Sequence, residues 1–91
     1  GHVFASKTER ARYEELLVLQ VAGEIRGLEL QPRYPLLVNK VKVGTYVGDF
    51  RYIQRGNQRP TVEDVKGHRT SVYRLKAKLV KAIHGIEILE T

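Results

Sequence analysis

The chain has no cysteine, no methionine and no tryptophan among its 91 residues. Without cysteine there is no disulfide framework and no thiolate metal site, which fits a reducing compartment. The three histidines form no zinc ligand set. No Ser/His/Asp order and no glycine-rich phosphate loop stands out. No apolar run approaches the ~20 residues that span a bilayer, and no signal-peptide pattern is visible. No membrane partner is expected. Acidic residues are also few, ten Asp and Glu against sixteen Lys and Arg, which leaves a net charge of +6 and a pI near 9.8. A small basic domain points to a polyanion, nucleic acid first. The plain alternative is charge for solubility.

What is present is a folded chain. Hydrophobic residues make up 42% and charged residues 29%, a globular balance. The length suits one domain over residues 1–91 with a single core. Gly1-His2 are compatible with an expression-tag remnant and are set aside. Residues 6–22 read as a helix, with Ser6 as cap, Gly23 as stop, and Tyr13, Leu16, Leu17, Gln20 and Val21 at helical spacing. Leu28 to Val38 reads as one strand, bent or edge-like at Pro32 and Pro35. Asn39-Lys40 turns it into 41–43, and strands follow over 46–54 and 61–66. Residues 70–84 read as a second helix with Val72, Leu75, Leu79, Ala82 and Ile83 on its apolar face. A short strand over 86–89 closes the chain. The expected class is α/β, in the order α-β-β-β-α-β: a mixed sheet flanked by two helices, its middle strands an antiparallel meander.

The chemistry gathers on two strands. Gly56-Asn57 between β-rich runs is a two-residue hairpin signal. That turn sets Asp49 opposite Asp64, and alternation puts Lys66 on the same face as Asp64. Opposed side chains lie roughly 4.5–5.5 Å apart at Cβ. Two negative charges that close repel by about 3 kcal/mol at an effective dielectric near 20. A divalent cation is the simplest reason to tolerate them, because Mg²⁺ and Mn²⁺ take hard oxygen ligands. Lys66 could then stabilise a charged phosphoryl group or orient a nucleophile. The competing reading is a solvent-facing strand with an ordinary Asp64/Lys66 pair.

Other residues carry two readings. Ser6-Lys7-Thr8-Glu9 matches a capping box, yet Glu9 also lies on the inward stripe Glu9, Tyr13, Leu16, Gln20. Spacing alone favours the cap. Glu63 alternates away from Asp64 and should meet a Lys, an Arg or solvent. Arg74, Lys78 and Lys81 form a basic stripe on the second helix, with Arg69 and Lys76 beside it. A solvated face would explain the stripe, and so would phosphate contact, since the helix starts next to the acids. Tyr73 is either a base-stacking surface or a half-buried core residue. His68 is a loop residue near the acids, and His84 suits a helix C-terminus.

Together these residues resemble the PD-(D/E)XK nuclease superfamily, through Asp49 and Asp64-Val65-Lys66 in an α-β-β-β-α-β order. More narrowly, the chain is similar to small phage- and prophage-encoded endonuclease-like proteins. The similar stretches are 4–9 with Tyr13-Glu14, then 30–32, 46–50, 62–67 and 70–76, nearly the whole chain. Each is short, and their order is more specific than any one of them. The resemblance implies a restriction-endonuclease-like core and metal ligation by Asp49, Asp64 and the Val65 backbone carbonyl. It also implies Glu9 as the helix-borne acid and Lys66 as the catalytic lysine. The implied function is a Mg²⁺-dependent DNA endonuclease, with Mn²⁺ able to substitute, acting in the cytoplasm of a bacterial host. Arg69, Arg74, Lys76, Lys78 and Lys81 would contact DNA. So small a domain covers little duplex, so a homodimer is expected. Gly48 stands where the signature often has proline. A branched-DNA resolvase and a non-catalytic DNA-binding module on the same fold are the alternatives.

Overall fold

The computed structural model describes residue 4, residues 6–65 and residues 69–91. Among these described residues two helices and six strands form an α/β fold: α1 (Lys7–Val21), β1 (Ile25–Leu30), β2 (Arg33–Val38), β3 (Val41–Val47), β4 (Phe50–Gln54), β5 (Thr61–Asp64), α2 (Ser71–His84) and β6 (Ile88–Glu90). Strands β1, β4, β5 and β6 make one mixed sheet in that spatial order; β2 and β3 pair separately. β6 lies parallel to β5 after the helical crossover, whereas the other pairings are antiparallel.

The expected strand over 28–38 is two strands in two different sheets. Gln31 adopts a left-handed φ of 52° and breaks the chain ahead of Pro32. The hairpin β2–β3 therefore leaves the main sheet, turning at Asn39 and Lys40, both at positive φ, as a tight hairpin with the sheet's own twist requires. The meander is thus interrupted: the hairpin is inserted between β1 and β4, and the remaining elements keep the order α-β-β-β-α-β.

Alternation along the strands divides the core. On one face Phe50 and Tyr52 of β4 pack with Ile25 and with Leu16 of α1. On the other, Val62 of β5 packs with Tyr34, Leu36 and Tyr46 of the hairpin and Val80 of α2. The α1 stripe points inward at Tyr13, Leu16 and Gln20 as its spacing predicts, whereas Leu17 is 37% and Val21 90% exposed. Helix α2 departs from its predicted apolar face. Val72 and Leu75 are exposed, and the contact with the core runs through Tyr73, Leu79 and Val80. The hairpin is the reason, because it covers only one side of the helix. Among the described residues no helix is long and apolar enough to cross a membrane.

Candidate active site

The Gly56-Asn57 turn is not the two-residue turn that the sequence suggests. The Asn57 N–H donates to the Gln54 carbonyl at 3.0 Å, Gly56 takes φ 85°, and a loop runs on to β5. The register is nevertheless the one that turn implied. Phe50 pairs with Glu63, Arg51 with Val62 and Tyr52 with Thr61. The ladder ends at Phe50, and just beyond it the Asp49 N–H donates to the Glu63 carbonyl at 3.0 Å, which sets Asp49 beside Asp64.

Both carboxylates line one cavity of about 340 Å³, together with Tyr46, Thr70, Tyr73 and Lys76. The charge of Asp64 acts directly on Asp49. Asp64 is 5% exposed, and its Oδ2 accepts from the Tyr46 hydroxyl at 2.7 Å. Asp49 Oδ2 accepts from the Val65 N–H, also at 2.7 Å. Each acid thus accepts from a fixed donor, and the pair lies between the two donors. Gly48 leaves room for this strand end: a Cβ there would sit 3.0 Å from a Val62 methyl and 3.3 Å from the Pro32 ring.

The crowding shows in the protonation. Burial, then the hydrogen bond and charge of Asp64 and the charge of Glu9, push the Asp49 carboxyl up to about 7, against the lowering effect of the Val65 N–H. The donor set suits a divalent cation, since hard oxygens converge and their repulsion would be relieved by positive charge.

A pH dependence follows with a definite sign. From the ordinary carboxylate range, near 3.8, up to about 7, folded Asp49 keeps a proton that the unfolded chain has released. The stability it supports is present at low pH and is lost as pH rises through about 7. In chelator, Asp49→Asn should therefore be more stable than the parent at pH 8, by about 1 kcal/mol after allowance for solvent screening. That gap should close by about pH 4. Urea titrations across this range would show it, and a variant less stable than the parent at pH 8 would contradict the strained pair.

Glu9 is 9% exposed on the inward side of α1. Ser6 Oγ accepts from the Glu9 N–H at 3.1 Å, but the reciprocal bond of a capping box, from the Ser6 N–H to the Glu9 carboxylate, is absent among the described residues. The cap is made by Ser6, and the carboxylate is left for another use. Its charge reaches Asp49, yet among the described residues no three acids or histidines converge as a metal set. Lys66 and His68 lie outside the described residues, so their predicted roles stay with the sequence. Val65 is described, and it is its N–H that contacts the site.

The sequence reading gave Tyr46 no role. It is buried at 3% exposure, and burial together with the Asp64 carboxylate raises its phenol pKa strongly, so it is a fixed donor to Asp64. Its place opposite Tyr34 in β3 was not readable before the hairpin's pairing was known.

Of the predicted basic residues, Lys76 lines the acid cavity, and Arg69, Arg74, Lys78 and Lys81 line an adjoining groove. On the opposite face, Glu63 is fully buried. It accepts from Arg12 Nε at 2.5 Å and Nη2 at 3.2 Å, from the Tyr52 hydroxyl at 2.7 Å and from the Thr91 hydroxyl at 2.8 Å. Of the lysine, arginine or solvent expected for Glu63, the partner is Arg12.

A family described as a protein of unknown function (DUF1064) matches residues 1–86. The chain belongs to the DUF1064 family. No curated protein and no solved structure matches it. What points to function in this DUF1064 chain is the acid pair and its surroundings.

Proposed function

We propose that the chain is a metal-dependent nuclease that hydrolyses phosphodiester bonds in DNA. The observation that carries this reading is the opposed Asp49–Asp64 pair, held by Tyr46 and Val65 in a cavity bordered by Lys76. An Asp49 carboxyl that holds its proton to about pH 7 beside a second buried acid is an electrostatic cost that a purely structural site has no need of. Asp49 and Asp64 would hold Mg²⁺ or Mn²⁺, with Glu9 adding negative charge from α1. When bound, the ion would lower the pKa of a coordinated water and neutralise charge on a phosphoryl oxygen. Tyr46 keeps Asp64 oriented by donating to Oδ2, and the Val65 N–H does the same for Asp49. Lys76 offers positive charge to the substrate phosphate, and Lys66 supplies the sequence-predicted lysine of the signature. A homodimer would bring two such sites to one DNA.

Incubation with linear, nicked and four-way-junction DNA, with and without Mg²⁺ or Mn²⁺, tests the reading. Cation-dependent products are expected on at least one substrate, and none on any would overturn it. Glu9→Gln separates charge from packing. It keeps the Ser6 cap, which uses the backbone N–H, and removes one negative charge. The variant should unfold within about 0.5 kcal/mol of the parent yet bind Mn²⁺ and cleave at least about tenfold less well. Unchanged metal affinity and activity would remove Glu9 from the site.

A further inference from the structure

A second groove, of about 300 Å³, runs between α2 and β6. Tyr73 lines both this groove and the acid cavity, so the two adjoin across its ring. The groove is apolar within, at Ala77, Ile86 and Ile88, and cationic at its edge. Lys81 is paired with Glu87 at 3.0 Å and Arg69 with Glu90, which neutralises both acids of the lining. Arg74 and Lys78 are exposed and make no ion pair among the described residues.

We infer that this groove receives unpaired nucleotides of the strand whose phosphate lies at Asp49 and Asp64, so that the substrate is DNA carrying a single-stranded segment. This rests on the nuclease reading. A duplex turns its bases inward and offers a protein surface mainly phosphates and groove edges. Cations at an edge serve such a ligand, but an apolar floor does not. A single strand presents phosphates and base faces in alternation, and both halves of the groove then have a partner. The volume lies at the lower end for small-molecule sites, which suits a base and not a helix. The position beside the acids, with Tyr73 between, lets one strand occupy both cavities.

The test is equilibrium binding by fluorescence anisotropy in chelator, where cleavage cannot occur. The probes are a blunt duplex, the same duplex with a single-stranded tail at either end, and tailed duplexes whose tail is abasic. One tail polarity should bind about tenfold more tightly than the blunt duplex, and the abasic tail should lose most of that gain, because stacking is lost while the phosphates stay. Lys78→Glu, at an exposed position, should weaken tailed-DNA binding and flatten its salt dependence. Equal affinity for blunt and tailed DNA, or for abasic and normal tails, would overturn the inference. Asp64→Asn separates it from the reading beneath: a tail preference kept in that variant supports the groove, whereas full cleavage by the same variant sinks the Asp49–Asp64 metal site and not the groove.

Discussion

Asp64→Asn is expected to cut Mg²⁺-dependent cleavage by on the order of a thousandfold while leaving the protein folded. The substitution keeps the shape and keeps an oxygen that can accept from the Tyr46 hydroxyl, now 2.7 Å from Oδ2. It removes one of two opposed charges, so the apo protein should become more stable at pH 8 as repulsion with Asp49 disappears. Activity and stability are thus expected to move in opposite directions, which simple misfolding would not produce. Cleavage time courses beside urea unfolding of the same preparation measure both. Parental activity in this variant would end the metal-site account. Lower stability at pH 8 would mean that the pair is favourable without a cation.

The largest stability effect is expected on the other face of the sheet. Arg12→Ala should destabilise the fold by about 3–5 kcal/mol, because it leaves a buried carboxylate without its cation. Glu63 is fully buried, Arg12 reaches it through two nitrogens, and its side chain is 24% exposed. The attraction and the desolvation of Glu63 both enter that figure, so it is the cost of breaking the pair and not its net worth. Arg12→Lys should recover only part, since an ammonium cannot make the two-pronged contact. Arg12→Ala combined with Glu63→Gln should be more stable than Arg12→Ala alone, the remaining donors being the Tyr52 and Thr91 hydroxyls. Denaturant titration near pH 7 checks the series. A loss under about 1 kcal/mol would show the pair to be solvated. Since Arg12 stands one helical turn after Glu9, weakening this strut should also loosen Glu9 against Asp49.

Some of this was legible because it depends on short-range rules. Ser6 caps α1 through its side-chain oxygen, as a hydroxyl residue ahead of an apolar periodic run does. The Glu63 prediction held because alternation alone sends it to the face opposite Asp64. Other features gave no local signal. Nothing in Leu28–Val38 announces that Gln31 turns left-handed, since the residues on either side are equally compatible with one bent strand. The α2 face was misjudged for a related reason. Val72 and Leu75 repeat at helical spacing, but the hairpin lies on the Tyr73–Val80 side.

The sequence by itself determined the class of the fold, the ends of both helices and the register that sets Asp49 against Asp64. These follow from capping, alternation and apolar spacing, which act between residues close along the chain or across one hairpin. Tertiary structure alone decided that β2–β3 leaves the main sheet, that Tyr46 donates to Asp64 and that Arg12 meets Glu63 across a separation of 51 residues. It also decided that the α2–β6 groove adjoins the acid cavity through Tyr73. Those outcomes depend on which of several apolar surfaces is covered and by what, and that is settled only when the whole chain packs.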